Sequence, residues 1–237
     1  MYGYRSKDTD NRGVVYSLAN RTPSNALRGV ITQLDKLPQE ASVLDLGCGD
    51  GVLETHIDKR RYTFTSLDIE PAAIHTVQKI FTKSSSNDQT ILGDITKLKI
   101  IPELRNKKFN VIVSWRVFHG ISPEHYKDIF EQVHHLLKPG SSFFISVASN
   151  EDWKATALGN AYDPDGINDC SGVMFRDFGI DRTNPFPVHF FSPEELVQLG
   201  EDNGFVLKTI STFQEPSGYT HLKGKMNTYL YAHFIAK

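Results

Sequence analysis

The chain has 237 residues, 39% hydrophobic and 23% charged, enough to bury the core of one globular domain spanning residues 1–237. A formal net charge of -2 with no basic run leaves no electrostatic footprint for nucleic acid, and no apolar run of 18 residues offers a membrane span. Two cysteines, Cys48 and Cys170, make neither a disulfide framework nor a zinc site, no His/Asp/Glu group has metal-ligand spacing, and a cytoplasmic location is expected.

In chain order, residues 1 to about 15 are polar and read as loose, while Pro23 to Leu37 puts Ala26, Leu27, Val30, Ile31 and Leu34 on one helical face. Strand-like runs at about 42–47, 63–68, 89–92, 109–114 and 142–148 then alternate with helical candidates at about 51–59, 71–82, 97–104 and 123–137. That rhythm predicts a doubly wound parallel α/β sheet with helices on both faces. Ser122-Pro123-Glu124 reads as a helix start and Pro139-Gly140 as its stop. Residues 149–188 lose the rhythm, interrupted by glycines and prolines, and read as a substrate-facing, cap-like insertion, just as residues 1–40 read as an N-terminal cap or lid. Ser192-Pro193-Glu194-Glu195 is a capping box in which Glu195 is expected to reach back to the cap, and runs at 205–213 and 226–236 close the chain as a long hairpin.

The chemistry is concentrated at Val43-Leu44-Asp45-Leu46-Gly47-Cys48-Gly49-Asp50-Gly51, a buried-strand pattern running into a glycine-rich turn. Glycine permits close backbone approach and positive φ there, and Asp68, ending the next strand, is placed to accept from two ribose hydroxyls. The pair suits an adenosine. A nicotinamide or flavin site would read Gly-x-Gly-x-x-Gly and aim a helix N-terminus at a pyrophosphate, whereas Asp45, two residues before Gly47, suits a cationic ammonium.

The turn resembles the first motif of the class I S-adenosylmethionine-dependent methyltransferases, Asp-x-Gly-x-Gly-x-Gly. Asp68 in Leu-Asp-Ile, Gly93-Asp94-Ile95, Phe109 to Ser114, and Leu136-Leu137-Lys138-Pro139-Gly140 follow in the family's order. The resemblance implies a Rossmann-like seven-stranded sheet with a reversed seventh strand, which the C-terminal hairpin would complete, and S-adenosyl-L-methionine as cofactor. It also implies roles. Asp45 would anchor the methionine ammonium, Gly47 and Gly49 would give backbone contact with Cys48 packed in the turn, and Asp68 would take the ribose. Asp94 would take the adenine amine or merely cap the next turn, Ile69 and Ile95 would be apolar walls, and Ser114 would lie beside the methionine portion. Tyr16 and Arg21 are placed to close over its carboxylate, Arg21 being otherwise a solvated charge.

For the acceptor, the place where base and glutamine methyltransferases carry Asn/Asp-Pro-Pro-Tyr reads Ser114-Trp115-Arg116-Val117, which argues against that class. The segment resembles the Ser-x-x-x-x-His pattern of small-molecule methyltransferases, with His119 either a general base active near neutrality or a packing residue. Trp115, Arg116, His189 and the insertion's Trp153, Tyr162 and Phe175 are candidate acceptor contacts, each also explicable as packing. Residues 151–181 carry seven acids against two bases, an excess that would draw a cationic acceptor or simply serve turns. The expectation is a methyltransferase acting on oxygen or nitrogen of a small molecule, as a monomer or homodimer. A protein methyltransferase and a non-catalytic cofactor-binding accessory protein are the alternatives.

Overall fold

The computed structural model describes residues 23–58, 61–82, 88–158, 189–216 and 225–237; side chains are described for all of these except residues 156–158. Seven strands form one sheet: β1 (Ala41–Leu46), β2 (Tyr62–Asp68), β3 (Gln89–Leu92), β4 (Phe109–Trp115), β5 (Leu137–Ala148), β6 (Phe205–Pro216) and β7 (Met226–Ala236). Their spatial order is β3-β2-β1-β4-β5-β7-β6. β1 to β5 pair in parallel, while β7 runs antiparallel to both β5 and β6, so the reversed last strand lies between its neighbours as expected. Because the chain goes from β1 outward to β2 and β3 and then returns to β4 on β1's other side, the sheet's switch point falls at the carboxyl ends of β1 and β4. Open α/β sheets bind ligands there.

The central strands β1, β2, β4 and β5 alternate their side chains between two apolar layers. On one face, Val43 of β1, Phe64 of β2, Val111 and Val113 of β4 and Phe144 of β5 pack with α1 (Asn25–Leu34), α2 (Val52–His56) and α3 (Pro71–Phe81). On the other, Leu44, Leu46, Ile112, Phe143 and Ile145 pack with α4 (Tyr126–Leu136) and α6 (Pro193–Asp202). A short α5 (Trp153–Leu158) precedes α6 in the chain.

Several boundaries differ from the sequence reading for local reasons. The helix over 97–104 is replaced by two 3₁₀ turns, Ile95–Ile100 and Pro102–Leu104, because Pro102 removes a donor and the apolar residues Ile95, Leu98 and Ile101 suit a three-residue repeat. The helix expected over 51–59 is the five-residue α2, and the N-terminal helix is trimmed to α1, capped by Ser24, whose Oγ accepts from the Leu27 N–H at 3.1 Å. Residues 123–125 form a 3₁₀ turn ahead of α4, without a side-chain cap from Ser122. Pro139-Gly140 does not stop α4: the helix ends at Leu136 and Lys138-Pro139-Gly140 lies in β5. The strand expected at 205–213 runs on to Pro216. The greater part of the 149–188 insertion and residues 1–22 lie outside the described residues, and with them Tyr162, Phe175, Tyr16 and Arg21.

Candidate active site

At the end of β1 the backbone turns through Gly47, Gly49 and Gly51, with φ of 78°, 51° and 73°. Two of these glycines do different work. A Cβ on Gly47 would stand 2.3 Å from a Val117 methyl, so this position lets the turn pack against the segment after β4; a Cβ on Gly49 would meet nothing within 4 Å, so this position faces open space. The turn is tied to β2. Gly47 and Cys48 N–H groups donate to the Leu67 carbonyl at 2.7 and 3.0 Å, and the Gly49 N–H donates to Asp68 Oδ2 at 2.9 Å. Asp68 Oδ1 accepts from the Glu70 N–H at 2.8 Å. Burial pushes the Asp68 carboxyl up, while backbone donors at Glu70, Gly49 and Ile69 oppose it.

Beneath the turn lies a buried acidic cluster. Asp45 is 3% exposed and Oδ1 is buried without a hydrogen-bond partner. Burial pushes its carboxyl well up, and the Glu54 carboxyl, hydrogen-bonded to it from α2, pushes it further. Glu54 also accepts from Ser66 Oγ of β2. Sequence reading passed over Glu54, because an acid in an amphipathic helix ordinarily faces solvent. Cys48 is buried beside the same carboxyls, and burial followed by Glu54 and Asp45 holds its thiol protonated, which rules out a thiolate role.

The flanking candidates take several environments. Asp94 caps its own turn, with Oδ1 accepting from Thr96 N–H at 2.9 Å and Thr96 Oγ1 at 2.7 Å. Ile69 is half-buried, Ile95 is buried, and Ser114 is fully buried with its Oγ donating to the Leu46 carbonyl at 3.2 Å, a clasp between β4 and β1.

Past β4, Arg116 sits at φ 61°, uncommon for a residue with a Cβ. Its N–H donates to the Ser146 carbonyl, and its Nη1 donates to Glu215 Oε2 at 3.0 Å while the guanidinium lies 5.5 Å from the centre of the Tyr229 ring. Trp115 stacks on Phe213 at 5.8 Å and Phe213 on Tyr229 at 5.5 Å. The His119 ring is 6.5 Å from the same Tyr229, with Nδ1 buried and without a partner. Lys154, near the start of α5, donates from Nζ to Asn227 Oδ1 at 3.1 Å, and Asp152 Oδ2 accepts from the Thr228 N–H at 2.5 Å. Phe213, Glu215, Asn227 and Tyr229 come from the β6–β7 hairpin, whose distance in sequence hid them.

Two expectations are corrected. His119 does not titrate near neutrality: burial, then the charges of Lys154 and Arg116, push it down to about 3, so it is a neutral imidazole. His189 has its Nε2 hydrogen-bonded to Glu195 Oε1 at 2.7 Å and its ring edge-on to Phe191 at 4.5 Å, while its Nδ1 is buried without a partner. Glu195 therefore does not reach back to the cap, although Ser192 Oγ does accept from the Glu195 N–H at 3.1 Å. Of the acidic insertion, Glu151 and Asp152 are described, Glu151 exposed and Asp152 bound to backbone and to Lys154, whereas Asp163, Asp165, Asp169, Asp177 and Asp181 lie outside the described residues. Among the described residues no group of three or more His, Cys, Asp or Glu could hold a metal ion, and no helix is long and apolar enough to cross a membrane.

The chain matches the family described as a methyltransferase domain over residues 19–210. It is 26% identical over 130 residues, 54% of this chain and 44% of the relative, to the probable S-adenosyl-L-methionine-dependent methyltransferase TehB of Haemophilus influenzae. It is 26% identical over 119 residues, 48% of this chain and 20% of the relative, to the biotin biosynthesis bifunctional protein BioHC of Saccharophagus degradans. The matched stretches thus span less than half the length of these curated relatives. In structure, the chain superposes on a methyltransferase of Methanosarcina mazei with a TM-score of 0.62 at 17% identity, covering 86% of this chain and 96% of that one. Other solved neighbours of this fold hold S-adenosylmethionine or S-adenosylhomocysteine. The switch-point turn, the acid ending β2 and the reversed β7 thus stand in a shared framework, and the chain belongs to the class I S-adenosylmethionine-dependent methyltransferases.

Proposed function

We propose that the protein transfers a methyl group from S-adenosylmethionine to an oxygen or nitrogen of a small molecule. The observation that carries this reading is the orphaned, buried Asp45 Oδ1 beneath a turn whose Gly49 opens to free space, with Asp68 at the adjoining strand end. The donor set fits the cofactor: a buried carboxylate oxygen for an ammonium, a second carboxylate at the adjoining strand end for a ribose hydroxyl, and, among the described residues, no cluster of cationic donors for a pyrophosphate. On this reading Asp45 takes the ammonium, Gly47, Cys48 and Gly49 line the backbone approach, and Asp68 takes the ribose. Asp94 takes the adenine amine, with Ile69 and Ile95 as apolar walls and Ser114 stiffening the floor.

When bound, the cofactor supplies an electrophilic methyl on a sulfonium. The chain's own contribution is alignment and exclusion of water. Trp115, Phe213 and Tyr229 wall the acceptor side, and His119 offers a hydrogen bond without acting as a strong base. A small acceptor suits a site bordered by the β6–β7 hairpin and by α5. Titration of the protein with S-adenosylmethionine, followed by a metabolite-library screen read by S-adenosylhomocysteine release, tests it. Tight cofactor binding with turnover on a metabolite is expected; turnover on peptides alone would replace the acceptor, and binding without any turnover would make the chain an accessory protein.

A further inference from the structure

The acceptor wall is electrically balanced. Its two cations come from separate elements and each lies against a carboxylate: Arg116 Nη1 stands 3.0 Å from Glu215 Oε2, and Lys154 Nζ stands 3.5 Å from Asp152 Oδ1 and 3.1 Å from Asn227 Oδ1. Both Asp152 oxygens are engaged, since Oδ1 also accepts from the Lys154 N–H at 2.9 Å and Oδ2 accepts from the Thr228 N–H. Glu215 differs. Its side chain is 16% exposed and Oε2 is held by Arg116, but Oε1 is buried without a partner. A buried carboxylate oxygen costs free energy until a donor reaches it, and in the ionised group it can only accept.

The fold fixes where that oxygen stands. β6 and β7 pair Phe213 with Tyr229 and Glu215 with Asn227, and the two-residue spacing puts Phe213 and Glu215 on one face of β6. Phe213 stacks on Tyr229 and on Trp115, so the carboxylate borders a flat apolar surface. Arg116 is itself restrained, with its N–H on the Ser146 carbonyl at 2.9 Å, its backbone at φ 61° and its guanidinium 5.5 Å from the centre of the Tyr229 ring. Strained backbone persists where the surroundings over-determine it, and here it keeps the guanidinium on Oε2. At the same border, the His119 ring lies 6.5 Å from Tyr229 with its Nδ1 buried and unpartnered.

Resting on the methyltransferase reading above, we infer that the methyl acceptor is a neutral, planar molecule that lies on the Trp115, Phe213 and Tyr229 rings and donates an O–H or N–H hydrogen bond to Glu215 Oε1. A neutral ligand loses least on this wall. An anion would be set against Glu215 and a cation against Arg116, and neither would find an unpaired opposite charge to replace its water. Glu215 determines specificity by rejection: an isostere without a donor leaves the carboxylate oxygen unpaired in the complex.

The test uses the full chain saturated with S-adenosylhomocysteine and four probes built on one benzene ring, phenol, fluorobenzene, benzoate and benzylamine, titrated by ligand-observed NMR. Phenol is expected to bind at least about tenfold more tightly than fluorobenzene, which matches its shape but offers no donor, and more tightly than either ion. Glu215→Gln is expected to cut the phenol-to-fluorobenzene ratio at least about fivefold with S-adenosylhomocysteine affinity unchanged, because the amide oxygen can keep Arg116 and leaves an N–H2 where the ligand needs an acceptor. Glu215→Asp, which keeps the charge and shortens the reach, should cut the same ratio. Arg116→Gln removes the carboxylate's counter-charge and should raise benzylamine binding at least about fivefold. Equal binding of phenol and fluorobenzene, a ratio unmoved in both Glu215 variants, tighter binding of either ion than of phenol, or failure of all four probes to bind overturns the inference and leaves the small-molecule reading standing. Absence of S-adenosylhomocysteine binding overturns that reading and the inference with it.

Discussion

At the scale of the residue, Asp68 carries two burdens, since its carboxylate both holds the glycine turn through Gly49 N–H and is placed for a ribose diol. Asp68→Ala removes two charge-assisted hydrogen bonds of about 1.5–3 kcal/mol each and is expected to weaken S-adenosylmethionine binding at least tenfold by calorimetry. Gly49→Ala separates the burdens, because its Cβ meets no protein atom. The expected outcome is a loss of cofactor affinity larger than the strain of about 1 kcal/mol that a positive φ costs the fold. His119 and His233 make a second residue-scale prediction. Both imidazoles are pushed down, to about 3 and about 4, chiefly by burial, so the folded protein keeps them neutral while the unfolded chain protonates below about pH 6.5. The unfolded state then binds more protons, and stability falls as the pH falls through that window, by up to about 1.4 kcal/mol per pH unit for each imidazole. The raised carboxyls of Asp45 and Asp68 act in the opposite direction, so the histidine contribution is read as the difference between wild-type and His233→Phe urea midpoints from pH 7 to pH 4.5, a difference expected to grow as the pH falls. The rate should show no limb near neutrality from His119.

Among elements, the packing of the glycine turn on the segment after β4 is the joint on which both halves of the site depend. Gly47→Ala would drive its Cβ into Val117 and is expected to destabilise the fold by about 1–3 kcal/mol, and Val117→Ala added to it should restore part of the loss. The same segment is held from the other side by Tyr126 of α4, whose hydroxyl lies 3.1 Å from the Phe118 carbonyl and 3.0 Å from that of Ile121, and by the His189 N–H on the His119 carbonyl at 2.8 Å. Tyr126→Phe should cost about 1 kcal/mol in stability and lower kcat while S-adenosylmethionine affinity stays put, a split that a general loss of fold would not produce. The Asp45–Glu54 contact joins β1 to α2 and, through Ser66, to β2. With Asp45 held above the usual carboxylate range, its ionised form, which a cationic ligand prefers, is depleted as the pH falls. Cofactor affinity should therefore weaken on acidification and binding should release protons, measured by calorimetry in buffers of different ionisation enthalpy. Asp45→Asn should abolish the release.

For the whole molecule, the extent to which the site could be read beforehand follows from how local its causes are. The turn 47–51, Asp68 and the alternation of strands and helices from 41 to 148 are legible because each depends on neighbours a few residues away: glycine conformations, a strand-end acid and apolar period. The reversed β7 was legible only as a final hairpin resembling a family pattern, and the sheet order confirms it. Other features were hidden because they depend on pairing across the sheet. Arg116 and Glu215 are 99 residues apart, and Lys154 and Asn227 are 73 apart, joined only because β7 inserts between β5 and β6. Burial likewise comes from assembly. His119 looks like a base active near neutrality until the fold desolvates it and sets two cations beside it, and Glu54 looks like a surface acid until α2 turns it onto Asp45. By itself the sequence determined the doubly wound frame and the cofactor turn, since short-range conformational preference and periodic burial suffice for them. The charge and shape of the acceptor wall were decided only by tertiary structure, because they arise where side chains distant in the chain are brought together out of water.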